Sequence, residues 1–426
     1  MLCRWWCLLS TAAARQQYQQ HAHNNQSINN IQQQQQQQQQ HATRALLGDA
    51  CRVPPLWRTH HIFSSTVTDP CPPQLVPGSW TNPGEVTGVS GVLPYTAQVQ
   101  QAIWQHQHPS NCSTSKFLVL SGIGSVFHIN TVALAAALDY GRILLKHDDW
   151  LAKSDFCGPA KTTLDSCYFV PLSSCTLSKH EVELAPVATA AAELADPASP
   201  RVMRVTSMAL IGELRASVPK QFHGMLSKTG IPSKNLHYWW RSQGVAYLVR
   251  PNTRMLEEIQ KRRSRCELLT AGPAYLAPGC ISLYIRHGDK VDESPVFSDR
   301  EYESVTKRLR QADPALTNQL FLSTEDPVTI QYYTNTTTSS AAASWRTSYT
   351  ELENDGGSTF DYGPSGDVIK CLLNLDLAMQ CDGFVASVYS NWARLIDEMR
   401  STVRCKANAL YFDAHYSSPA DMDFNW

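Results

Sequence analysis

Three observations predict an α/β protein with parallel sheets. From Lys116 the chain reads as a strand, a glycine turn and a long apolar helix. In the second half, short apolar runs alternate with amphipathic stretches. A buried strand near Ile281 ends abruptly in charged residues. Strand and helix in alternation imply parallel pairing with right-handed crossovers.

Phe117-Leu-Val-Leu120 is the first strand, Ser121-Gly122-Ile-Gly124-Ser125 the turn, and Val126 to Leu138 the helix. The glycines serve either the geometry of the turn or a bound phosphate. Gly141 to Leu145 reads as the second strand, and Asp148-Asp149 after it as a solvated loop pair. Cys157, Cys167 and Cys175 punctuate a loop-rich region that disulfides could staple. Residues 183–200 have the composition of an insertion or flexible connector. A helix through Trp240, Tyr247 and Leu248 ends at Pro251. Its aromatics read most simply as core, while Arg241 is a candidate for lining a cleft.

In Cys280-Ile-Ser-Leu-Tyr-Ile-Arg286-His287-Gly288-Asp289-Lys290, Ile281, Leu283 and Ile285 alternate with Ser282, Tyr284 and Arg286, the period of a strand. Cations and a carboxylate then emerge together at its carboxyl end, where open α/β sheets bind ligands. Ser298 and Glu301 form a capping box and Phe297 with Tyr302 a hydrophobic staple, which predicts a helix to about Gln311. Leu320 to Thr324 is a strand, and a helix starts at Glu325-Asp326-Pro327. Thr334 to Ala343 is a low-complexity loop. A helix over Asp367–Gln380, a strand over Gly383–Val388, a helix over Ser390–Thr402 and a last strand over Ala409–Phe412 follow. Three strand ends converge on one sheet edge: Arg286 to Lys290, Thr324 to Asp326, and Tyr389 to Trp392. Ser390 opens a helix whose free N–H groups suit a phosphate. Arg286 could clamp a diphosphate with its planar fork.

At 426 residues, the prior is about two domains plus an appendage. The composition is 43% hydrophobic and 17% charged with a net charge of −1, which speaks against a nucleic-acid binder and makes any anion site local. The 13 cysteines offer no Cys-x-x-Cys pair, so they are disulfides of an oxidising compartment or scattered buried thiols. Asn25, Asn111 and Asn335 head glycosylation sequons. Residues 1–14 read as a signal peptide or a short membrane anchor, their apolar run being about half the ~20 residues of a spanning helix. Residues 15–45 are Gln- and Asn-rich and predicted to be disordered. Residues 46–114 form an irregular Pro-rich approach. Two Rossmann-type domains follow at 115–270 and 271–415, with a tail at 416–426. Asp421-Met-Asp423 has an Asp-x-Asp spelling, but its place in the tail argues against a metal site.

Tyr284-Ile-Arg286-His287-Gly288-Asp289-Lys290, Phe321 to Pro327, and Gln380 to Leu395 resemble, in order and spacing, three motifs of the α1,6-fucosyltransferase family. That family is part of a superfamily that includes protein O-fucosyltransferases. Trp240-Arg241-Ser-Gln243 and Tyr247 to Pro251 extend the resemblance to roughly residues 115–413. It implies a GT-B-like pair of Rossmann-type domains with parallel sheets facing a cleft. It also implies GDP-fucose as donor, a glycan or protein hydroxyl as acceptor, inversion at the anomeric carbon, no cofactor, and no metal.

The resemblance assigns Arg286 and Ser390 to the diphosphate, Asp289 and Lys290 to support of the site, and Glu293 to the general base. Glu293 requires a one-residue gap, since Ser294 holds the strictly matched position. Tyr302, Glu325 and Asp326 also match substrate-side positions, although a staple and a helix cap explain Tyr302 and Asp326 equally well. Tyr284 and His287 depart from the histidine and arginine of the family, and Asn374, with Asp376 nearby, replaces the carboxylate that reads guanine. The coiled-coil stem and SH3-like domain of the animal enzymes are not represented. The resemblance implies a secretory, Golgi location; a binding protein of the same fold without catalysis is the alternative.

Overall fold

The computed structural model describes residues 93–121, 127–147, 155–157, 164–206, 210–211, 214, 218–229, 231, 233–264, 268–270, 276–287, 295–324, 326–335, 344–350, 364–404, 406–407 and 409–415. The expected leader, the Gln-rich segment and the tail lie outside these residues.

The fold is the expected α/β one, built on two sheets. Strands β1 (Lys116–Ser121), β2 (Arg142–His147) and β3 (Val202–Val205) form the first, in the order β2-β1-β3 with both pairings parallel. Strands β4 (Leu268–Thr270), β5 (Ile281–Tyr284), β6 (Gln319–Ser323), β7 (Arg346–Thr350), β8 (Gly383–Ala386) and β9 (Tyr411–Asp413) form the second, in the order β4-β7-β6-β5-β8-β9. All its pairings are parallel except that of β4 with β7. The longer helices are α1 (Thr96–Gln107), α2 (Phe127–Asp139), α3 (Leu236–Leu248), α4 (Thr253–Ser264), α5 (Asp299–Ala312), α6 (Pro327–Thr334), α7 (Pro364–Ala378) and α8 (Asn391–Val403).

Several expectations are corrected. The approach to the fold is not irregular throughout: α1 packs its Val99 and Ile103 into the core. Its sequence hides this because the buried face carries glutamines. Gln107 donates to Leu144 O and accepts from Leu144 N, both at 3.0 Å, and Gln100 donates to Gln243 O at 2.8 Å. A glutamine so paired is buried at little cost, and the apolar stripe of the helix thins accordingly.

Residues 183–200 are not a flexible connector. They hold the short helix Ala191–Ala195, and the carbonyls of Leu194 and Pro200 both accept from the buried Arg142 guanidinium. The chain then enters β3, a strand only four residues long. Strand β7 follows the low-complexity stretch and was not expected. Residues 268–270, expected to close the first domain, form β4, which pairs antiparallel with β7 in the second sheet.

One core runs through both halves. Trp239 and Trp240 of α3 belong to the same buried cluster as Ile396 and Met399 of α8. Gly244 allows α3 to approach α2, since a Cβ there would lie 2.6 Å from Thr131 Cγ2. Arg241 does not line a cleft. It is buried against Glu398, which also accepts from His128 Nε2 at 2.9 Å. Disulfides join Cys112 to Cys175, Cys157 to Cys167 and Cys280 to Cys381. The last ties the residue before β5 to the approach to its neighbour β8.

Candidate functional site

Strand β5 is buried on both sides, Ser282 included, because helices cover both faces of a parallel sheet. It is also where the chain reverses direction across the sheet. From β5 the order runs outward through β6 and β7, and the chain then returns to place β8 and β9 on the other side. Such a switch point leaves a crevice outside the carboxyl ends of the two strands flanking it. A cleft lies there, lined by Tyr284 at the end of β5 and Arg286 beyond it, Ser387, Tyr389 and Ser390 after β8, and Pro295 and Tyr302 around α5.

Four residues singled out in the sequence therefore meet: Tyr284, Arg286, Tyr302 and Ser390. Arg286 is 8% exposed and Ser390 4%, so both side chains present themselves to the cleft and not to bulk water. Ser390 is the N-cap of α8, yet its hydroxyl makes no cap hydrogen bond. The first N–H groups of a helix lack intrahelical acceptors and carry the positive end of its dipole. Ser390, the start of α8 and Arg286 thus face one cleft, the types of donor that suit an anion. Arg394, one turn into α8, donates to Val388 O at 2.6 Å and to Asn391 Oδ1 at 3.3 Å, fixing the turn that presents Ser387 and Ser390. Burial, with Arg241 nearby, pushes its guanidinium down to about 9, which leaves it a cation at neutral pH.

His287 follows Arg286. Its Nδ1 lies 2.7 Å from Asp326 Oδ2 and its Nε2 3.0 Å from Phe297 O. Asp326 caps α6 by accepting from Val328 N at 2.8 Å, and its hydrogen bond with His287 holds its carboxyl below the usual range. Both residues are thus occupied with structure at the cleft's edge, and neither lines it. The capping box of α5 and the edge-to-face contact of Phe297 with Tyr302, at 6.3 Å, form as expected. The staple and the cleft share Tyr302.

Asp376 is closed to solvent and paired with Arg404, which leaves it no face for a ligand. Asn374 accepts from Thr350 Oγ1 at 2.7 Å, above the end of β7 and two strands from β5. Asp289, Lys290, Glu293 and Glu325 lie outside the described residues, as do the glycine turn and both aspartate pairs.

Sequence reasoning did not single out Ser387, Pro295 or His415. Ser387 had a signal, standing at the same strand end three residues before Ser390. His415 stacks edge-on against Tyr389, which lines the cleft, at 4.9 Å and against Phe297 at 5.8 Å, so aromatic rings from three separate segments meet beside it. The tertiary fold alone brings them together.

The fold and this cleft define a parallel α/β protein with a cleft at its topological switch point. No protein-family model matches the chain, and a comparison with curated proteins finds no match. Among solved structures the chain is similar to POFUT1. The complex of that protein with GDP-fucose gives a TM-score of 0.40 at 9% identity, over 71% of this chain and 98% of that one. Its apo form gives 0.37 at 11%, over 72% and 99%. The chemistry of this chain rests on its own residues.

Proposed function

We propose that this protein is a glycosyltransferase that takes fucose from GDP-fucose and passes it to a hydroxyl of a glycan or protein. The observation that carries this reading is the meeting of Arg286 with Ser390 and the start of α8 at the switch point. A sugar nucleotide reacts when the bond between the anomeric carbon and the diphosphate breaks, leaving charge on the β-phosphate. A guanidinium fork and helix N–H groups aimed at that phosphate stabilise the charge as it develops, with donors already in place.

The family motifs supply the finer points. Transfer is inverting and independent of a metal, the acceptor oxygen attacks from the face opposite the diphosphate, and Glu293 takes its proton. Asp289 and Lys290 support the phosphate side. Tyr284 occupies the guanine-reading position, with Asn374 of α7, beside the end of β7, as a further candidate. Disulfides and the leader-like N-terminus support a place in the secretory pathway, the Golgi.

The test is release or transfer of fucose from GDP-fucose, with and without a chelator, comparing the native chain with Arg286→Ala. The expected result is chelator-resistant turnover, reduced about a hundredfold or more in the variant, the scale of losing one transition-state charge contact. Turnover that Arg286→Ala leaves unchanged overturns the reading. Binding of GDP without turnover would make the chain a binding protein of the same fold.

A further inference from the structure

His287 is the one ring beside the cleft whose protonation can be counted from its partners. Phe297 O is a carbonyl oxygen and can only accept, so Nε2 carries a hydrogen at 3.0 Å from it. Asp326 Oδ2, at 2.7 Å from Nδ1, is a carboxylate oxygen held in its ionised form. Thr329 Oγ1 lies 3.2 Å from Nδ1, but its single proton has carboxylate acceptors in Asp299 Oδ1 at 2.9 Å and Asp326 Oδ2 at 3.2 Å, so it too offers His287 a lone pair. Among the described residues, each of these three atoms accepts. The arrangement is complete only with a proton on each nitrogen, an imidazolium between Asp326 on α6 and Asp299 on α5.

Those two carboxylates are the charged groups facing the ring from the helices packed on it, and Arg286 precedes it in its own segment. The hydrogen bond with Asp326 is the largest influence on the ring and, against burial, raises its affinity for a proton above the ordinary value.

The placement of this cation joins three pieces of cleft wall. His287 follows Arg286 directly. Through Phe297 O it holds the segment that carries Pro295, which lines the cleft, and Phe297 itself, which braces Tyr302. Through Asp326 it holds the cap of α6. Loss of either proton turns one of these hydrogen bonds into a lone pair facing an acceptor, and the join opens on that side.

We propose that His287 is a positioning residue of the diphosphate cleft, required in its doubly protonated form, so that the cleft binds a nucleoside diphosphate sugar more weakly once the ring loses a proton. This rests on the reading of the cleft given above. The sign follows from the raised proton affinity. The clamp is whole in mild acid and is lost as pH rises through a value above the ordinary 6.5. A compartment more acidic than the cytosol would therefore favour donor binding.

The experiment is calorimetric titration of the full chain with GDP-fucose between about pH 5.5 and about pH 8.5, spanning the range in which histidine titrates. Both phosphates of this ligand are esterified, so it keeps its charge across that window. The native protein is expected to lose roughly tenfold in affinity from the acid to the alkaline end, the scale of one charge-assisted hydrogen bond. His287→Gln, which cannot satisfy both acceptors with a charge, is expected to bind as weakly as the alkaline native protein at every pH. His287→Arg, a permanent cation with several donors, is expected to restore binding and remove its pH dependence.

A flat native profile, or His287→Gln binding like the native protein in acid, overturns the proposal. Absence of binding by the native protein at any pH overturns the reading of the cleft as well. The clamp itself then answers to melting temperatures without ligand: the gap between native and His287→Gln is expected to close toward alkaline pH, and a constant gap contradicts it.

Discussion

Glu398→Gln tests what joins the two halves of this chain. Glu398 is inaccessible to solvent, and its two oxygens receive Arg241 Nη2 from α3 and His128 Nε2 from α2. Burial opposes ionisation of this carboxyl, but Arg241 and His128 outweigh it and hold it below the ordinary 4.5. Glutamine keeps the volume, so no cavity confuses the comparison. Its NH2 group, however, can meet only a lone pair of His128, and the Arg241 charge loses the carboxylate it is buried against.

Removing one partner of such a pair costs about 3–5 kcal/mol. For a urea slope near 3 kcal/mol/M this moves the unfolding midpoint down by about 1–2 M, followed through the fluorescence of buried Trp239 and Trp240. Because the carboxyl titrates below its unfolded value, its contribution is present at neutral pH and lost as pH falls through the folded value, so the gap to the variant narrows in acid. Replacing both partners with Arg241→Met and Glu398→Leu is expected to recover most of the loss, since an apolar pair needs no counter-charge. A midpoint for Glu398→Gln within about 0.3 M of native, equivalent to under ~1 kcal/mol, would refute the account of this pair as the electrostatic joint between the helices.

Other outcomes follow from the same structure. Cys280 and Cys381 are 101 residues apart, and replacing both with alanine is expected to lower stability by about 2–4 kcal/mol, read by urea unfolding against the oxidised native chain. Ser390→Ala removes a hydroxyl that caps nothing; its expected effect is donor binding weaker by about three- to tenfold with stability unchanged, whereas loss of stability would reassign it to structure. Tyr389 is 36% exposed at the mouth of the cleft and hydrogen-bonded to His415 at 3.1 Å. Tyr389→Ala is expected to weaken GDP-fucose more than inorganic pyrophosphate in competition binding, because only the former has rings to stack. Asn111 is exposed, with Ser113 Oγ donating to its Oδ1 at 2.7 Å, and mass spectrometry of the chain expressed through a secretory pathway is expected to find a glycan there.

The sequence was most informative where physics is local. The period of β5, the capping box at Ser298 and the strand end at Arg286 all lie within a few residues of their causes, and the structure places each as read. The convergence of Arg286 with Ser390 was also legible, because parallel strands put their carboxyl ends on one edge. What escaped depends on distant partners. Helix α1 buries glutamines that only Gln243 and Leu144 make tolerable. Strand β3 exists because residues 183–200 fold back on Arg142. Asp376 looked available for a ligand until Arg404, 28 residues on, was seen to pair with it. His287 looked like a substrate contact until both its nitrogens were found to face acceptors of the fold.

The central claim is that the cleft outside β5 and β8 holds a guanosine diphosphate through Arg286 and the start of α8. A thermal-shift panel of GDP, UDP and ADP on the native chain and on Arg286→Ala tests it most directly. The account predicts that GDP raises the melting temperature of the native protein more than UDP or ADP, and that Arg286→Ala abolishes the shift. Equal shifts from all three nucleotides would contradict the guanine reading, and a GDP shift that survives Arg286→Ala would contradict the placement of the site.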